Sequence, residues 1–218
     1  MKNLNYLFNL IEQSSVTVIG YSSKNETIKD NLLSKLNVYN IGKIDVNNFN
    51  PKQIIRDAKL SMLFEEKEYS RYYNIDISDV EVSPLGSPKD ISFIINSIRS
   101  EIWNMYNKYS INEESDLGLD FDDFENHEQK NTIPPFSLIV TTPMYKSPIS
   151  DINFKGGSRI LYGADLAFMI NDLSLREKLI GSSNSIKIIK NRFDIENFEI
   201  SLNNLDNYNY ICNYEYSK

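Results

Sequence analysis

With 218 residues, 41% of them hydrophobic and only 8 Gly and 7 Pro, the chain is long enough for one α/β domain with a single core and too poor in breakers for a long disordered polymer. A formal net charge of -7 argues against a free-standing nucleic-acid binder with a basic face. However, eight acids fall between Glu113 and Glu128 with no Lys or Arg among them, so the remainder is near neutral and a local basic surface stays open. The single cysteine, Cys212, excludes an intrachain disulfide and fits a reducing cytoplasm. No run approaches the ~18 apolar residues of a membrane span, and the start, Met1 to Tyr6, has no apolar signal core.

In chain order, Leu4, Leu7, Phe8, Leu10 and Ile11 fall at helical spacing and predict a short leading helix. Ser15 to Gly20 is a compact β-branched run ending in Gly, which reads as a buried strand stopping at a loop. Asn25 to Leu36 predicts a helix with Ile28, Leu32, Leu33 and Leu36 on one face. Val38 to Val46 is a second strand candidate. Pro51 opens a helix, a position that suits a residue lacking N–H. Tyr72 to Val82 alternates and predicts an extended segment. Ser87-Pro88 starts a longer helix through about Lys108. Strands follow at Phe136–Thr142, Ala164–Ile170 and Ser185–Asn191, with Phe198–Leu202 and Tyr208–Tyr214 as closing candidates. Helices alternating with strands early, then consecutive strands late, predict an α/β core with an antiparallel C-terminal part.

The segment between the first strand and the next helix, Gly20-Tyr21-Ser22-Ser23-Lys24-Asn25-Glu26-Thr27, stands where a phosphate-binding P-loop belongs. That loop needs Gly, four residues, then Gly-Lys-Ser/Thr: a glycine so that backbone N–H groups wrap the phosphates, a lysine to neutralise them and a hydroxyl for Mg²⁺. Gly20 and Thr27 are in register, but Asn25 replaces the second Gly and Glu26 replaces the Lys. At about 4 Å and an effective dielectric near 20, each such unit-charge interaction is worth roughly 4 kcal/mol before screening, so reversing the sign disfavours a triphosphate. Lys24 is two positions early and would reach in from the loop. Asn25 and Glu26 equally suit a plain helix start, since an acid in the first turn complements the helix dipole. Asp76 is the first candidate for a Mg²⁺-holding aspartate at a strand end, Asp79 the second.

From Phe136 to Arg192 the order of features resembles RecA, the RadA proteins and UvsX-type phage recombinases. A strand is followed by a loop from Pro143 to Lys155, then Gly156-Gly157, then Tyr162-Gly163-Ala164-Asp165-Leu166-Ala167-Phe168, then Lys187-Ile188-Ile189-Lys190-Asn191-Arg192. The likeness covers about a quarter of the chain closely and the rest by element order. It implies a single RecA-like domain over residues 1–218, with a mostly parallel central sheet flanked by helices and antiparallel strands at the C-terminal end. It further implies a second DNA-binding loop holding Tyr145, Lys146, Phe154, Lys155, Gly156 and Gly157, where cations neutralise phosphate and aromatics stack on bases. Thr142 stands where the family senses the γ-phosphate with Gln. Lys190 and Arg192 match residues that reach a neighbouring subunit's ATP, and Asp165 matches a structural position.

The segment 111–132 reads as an acidic insert, solvated or disordered, without the spacing of a calcium loop. His127 has no Cys or His partner there. The sequence therefore predicts a RecA-like protein of DNA recombination, repair or replication with impaired or absent ATP hydrolysis. It would work as a homo-oligomer or beside an active RecA-like paralogue, in a bacterial or phage-infected cytoplasm. ATP and Mg²⁺ would bind, if at all, at a degenerate or shared site, and single-stranded DNA is the expected nucleic acid. The alternatives are a non-enzymatic structural or adaptor protein that reuses the fold for assembly, and an active ATPase that uses Lys24.

Overall fold

The unbroken β-branched run of β1 (Val16–Tyr21) is buried at every residue, as expected of a central strand covered on both faces. In the computed structural model, which describes residues 3–43, 50–64, 70–77, 88–114, 133–134, 136–145, 153–154, 158–171, 184–193 and 198–202, β1 lies in the middle of a mixed sheet. The other strands are β2 (Tyr39–Lys43), β3 (Tyr72–Asp76), β4 (Ser137–Tyr145), β5 (Asn153–Phe154), β6 (Leu166–Asn171), β7 (Ser185–Asn191) and β8 (Glu199–Ser201). The order is β2-β3-β4-β1-β6-β7-β8, with β5 paired to β4 off this path. β2, β3, β4, β1 and β6 run parallel. β7 and β8 are antiparallel. A mostly parallel α/β sheet with antiparallel C-terminal strands is thus present.

The helices are α1 (Leu4–Gln13), α2 (Glu26–Lys35), α3 (Pro51–Phe64) and α4 (Pro88–Glu114). The β1-to-β2 crossover runs across the sheet in one direction, while β2-to-β3 and β3-to-β4 step back in the other. Right-handed crossovers therefore place α2 on one face and α3 and α4 on the opposite one. The core divides accordingly. Ile55 of α3 and Ile91, Ile94, Ile95, Ile98 and Ile102 of α4 pack on Val16, Val18, Tyr73, Ile75, Leu138 and Val140. Leu4, Leu7, Leu10 and Ile11 of α1 and Leu32 and Leu33 of α2 pack on Ile19, Ile139, Phe168 and Ile188.

Local chemistry sets the helix ends. Asn3 caps α1, its side-chain oxygen accepting from the Tyr6 N–H at 3.1 Å. After α2, Asn37 takes φ 51°, and the Asn37 and Val38 N–H groups donate to the Ser34 and Leu33 carbonyls. That pair of bonds is a Schellman motif, which a left-handed residue completes.

Several expectations change. β1 does not stop at Gly20 but continues through Tyr21. β4 extends to Tyr145, and β5 pairs Phe154 with Met144, so both ends of the expected Pro143–Lys155 loop belong to strands. α4 runs to Glu114 rather than Lys108, so residues 111–114 of the acidic insert are helical. Its remainder with His127, and Asp79, Tyr208–Tyr214 and Cys212, lie outside the described residues. Among the described residues no helix is long and apolar enough to cross a membrane.

Candidate functional site

In open α/β sheets, ligands bind beyond the carboxyl ends of the parallel strands. Here that edge carries the ends of β1, β3, β4 and β6, and it holds Gly20, Asn25, Glu26, Asp76 and Thr142 together. The structure gives each a role in the chain's own packing.

Gly20 pairs with Thr142 of β4 and Met169 of β6. A Cβ added there would stand 2.4 Å from the Phe154 ring and 2.7 Å from the Met144 sulfur. A close approach within the core therefore favours glycine at this position. Phe154, expected to stack on bases, is 2% exposed and packs in the core. Tyr145 ends β4, while Lys146, Lys155, Gly156 and Gly157 lie outside the described residues.

The connection from β1 to α2 is short. Ser22 is followed by a single 3-10 turn, Ser23–Asn25, and α2 begins at Glu26. Lys24 lies exposed in that turn, and Thr27 is already within the helix. Asn25 is buried, and its side-chain N–H donates to the Ile170 carbonyl at the end of β6, 3.3 Å away. The position expected to be an open glycine thus ties the turn to the sheet. Thr142 is fully buried, with its hydroxyl donating to the Pro143 carbonyl.

The centre of this edge is a residue the sequence reading passed over. Lys29, on the first turns of α2, is buried. Its Nζ lies 3.1 Å from Asp30, 3.6 Å from Asp76 and 3.7 Å from Glu26, and 4.5 Å above the Tyr21 ring. The Tyr21 hydroxyl donates to Asp76 Oδ2 at 3.3 Å. Burial alone would lower the Lys29 pKa, but the Asp30 hydrogen bond and the neighbouring Tyr21, Asp30 and Asp76 outweigh it and raise it. The signal was available: Lys29 shares its helix stripe with Leu32, Leu33 and Leu36, and a lysine on a buried face requires an anionic partner. Asp76 is that partner, at the end of β3 as expected for a strand-end aspartate. Behind it, Thr141 donates to Asn74, which donates to Asn40, across β4, β3 and β2.

The opposite edge holds Lys190 and Arg192. β7 is antiparallel to β6, so Asn191 pairs with Leu166 at the start of β6. Both cations engage their own chain. Lys190 Nζ donates to the Leu161 carbonyl at 2.7 Å and the Tyr162 carbonyl at 3.3 Å. Burial, then repulsion from Arg192, lowers its pKa, with Asp165 opposing. Arg192 donates to Asp165 Oδ1 at 2.7 Å. Asp165 Oδ2 accepts the Ser15 and Val16 N–H groups at 3.0 and 3.2 Å. Asp165 is therefore a clasp joining the starts of β1 and β6 to the end of β7, the structural role its motif implied. Within one chain the structure does not bring Lys190 and Arg192 to the Asp76 edge.

Chemically, the carboxyl edge is a cluster with more acids than cations. A phosphate entering it would meet Glu26, Asp30 and Asp76 against one committed ammonium. Among the described residues no group of three His, Cys, Asp or Glu side chains is placed to hold a metal ion. No protein-family model matches the chain, and no curated protein matches it either.

Proposed function

We propose that the chain is a RecA-like subunit that does not turn over nucleotide and serves a DNA recombination, repair or replication assembly, as a homo-oligomer or beside an active paralogue. The sheet arrangement supports the fold part of this reading, since a mostly parallel sheet with antiparallel C-terminal strands is what the resemblance implies. One observation carries the non-hydrolysing part: the Lys29 ammonium, held by Asp76, Asp30 and Glu26, occupies the edge where phosphates would sit. The DNA part rests on the resemblance alone.

A second reading, a structural or adaptor protein without DNA contact, is favoured by the own-chain partners of Lys190 and Arg192 and by the burial of Phe154. Phosphate release from Mg·ATP, with and without single-stranded DNA, tests the first part, and the expected rate is that of buffer. A rate abolished by Asp76→Asn would overturn it. Salt-sensitive retention of single-stranded DNA favours the assembly reading. Absence of retention at low salt turns the conclusion to the adaptor.

A further inference from the structure

A second concave site lies at the amino edge of the sheet, away from the Lys29 cluster. It is a cleft of about 580 Å³ between α4 and the starts of β1 and β4. That volume lies within the range of small-ligand pockets. Its α4 wall is one stripe at helical spacing: Asn96, Arg99, Ser100 and Trp103. The neighbouring stripe of α4, Ile91, Ile94, Ile95, Ile98 and Ile102, fills the core. The helix therefore buries one face and presents an amide, a guanidinium, a hydroxyl and an indole on the next.

Trp103 is 47% exposed. Its ring packs against Phe136, centroid to centroid 6.1 Å, and both rings line the cleft. None of the ion pairs among the described residues uses Arg99. The turn at Tyr162 and Gly163 borders the same wall, since a Cβ at Gly163 would lie 3.9 Å from Asn96 Oδ1. Lys190 holds that turn, and Arg192 follows on the same edge. Arg99 thus lines the same cleft as an exposed ring, on a chain that is acidic overall.

We infer that this cleft binds a nucleotide unit: a planar ring stacked on Trp103, with Arg99 against its phosphate and the Asn96 amide within the cleft to read a base edge. Stacking on an aromatic is worth ~1–3 kcal/mol per base. An amide supplies both a donor and an acceptor for a base edge, and guanidinium is suited to phosphate geometry. A free nucleotide and one residue of a single strand present the same chemistry. The inference does not depend on the nucleotide-free reading of the opposite edge.

Trp103 is the only tryptophan, so its emission reports this cleft alone. The full chain is titrated with thymidine 5′-monophosphate, with an oligothymidylate and with inorganic phosphate, correcting for absorbance. Saturable quenching is expected with at least one of the first two, weakened tenfold or more by Arg99→Gln. Quenching by both assigns a site open to free nucleotide, and quenching by the oligomer alone assigns the strand. A labelled oligomer followed by anisotropy checks Trp103→Phe, which should weaken binding where the oligomer binds. Far-UV circular dichroism and the melting curve establish that each variant is folded. Unchanged emission with both nucleotide probes, an unshifted Arg99→Gln curve, or equal quenching by inorganic phosphate would overturn the assignment.

Discussion

At the residue scale, three side chains decide how the two edges of the sheet are built. Gly20 looks like the first glycine of a phosphate loop but supports the packing of Phe154 and Met144. Gly20→Ala should therefore cost about 1–3 kcal/mol by overpacking, read from denaturant midpoints, and Phe154→Leu should recover part of it. A glycine kept for an anion would give no such loss. Asp165 accepts two backbone N–H groups from the start of β1 and one guanidinium. Asp165→Ala should cost roughly 2–3 kcal/mol, because buried donors lose their acceptor. Arg192→Ala should cost under about 1 kcal/mol, since its side chain is mostly exposed and such pairs contribute little. Equal losses in the two variants would contradict the clasp.

Lys29 is the third. Lys29→Met should destabilise by about 1–2 kcal/mol, at the low end for a broken buried pair because water still reaches Asp76. The sign of its pH dependence follows from its raised pKa. The contribution is complete below the ordinary lysine value of 10.5 and is lost as pH rises through the folded-state value. The stability difference between the native chain and Lys29→Met should thus hold steady at neutral pH and shrink above about pH 10.5. Urea titrations at paired pH values measure it, and a difference that grows with pH would refute the ion-pair account.

At the element scale, the strongly patterned segments were legible. α2, β1 and β7 lie within a residue or two of their expected bounds, α2 and β7 by apolar periodicity and β1 as a continuous buried run. The misreadings have physical causes. β1 outruns Gly20 because β4 continues beside it, with Tyr21 opposite Pro143. The pairing of Phe154 with Met144 is nonlocal and too short to leave a periodic trace. The Asn37 turn was also invisible, since many residues can follow a helix and only the observed φ shows which one is left-handed. There, Asn37→Gly should be neutral or add up to about 1 kcal/mol, while Asn37→Val should cost ~1–2 kcal/mol. Thermal melts of the two variants check the order, and a reversed order would exclude the motif.

At the scale of the whole molecule, the two ends of the sheet's strands carry two kinds of chemistry. Its carboxyl edge is closed by an internal cation, acids and a hydroxyl. Its amino edge carries Arg99, Lys190, Arg192 and exposed aromatics. The sequence alone places an acid, Glu26, where the phosphate-loop pattern has Lys. It could not reveal the closure, because Lys29 and Asp76 meet only when β3 is placed two strands from β1. The central proposal is that the acids around Lys29 disfavour a nucleotide at this edge. Calorimetric titration of Mg·ATP into the full chain carrying Arg99→Gln, which leaves the carboxyl edge intact, tests it most directly. No saturable heat at millimolar ATP is the predicted result. Saturable one-to-one binding that disappears on adding Asp76→Asn would contradict the account.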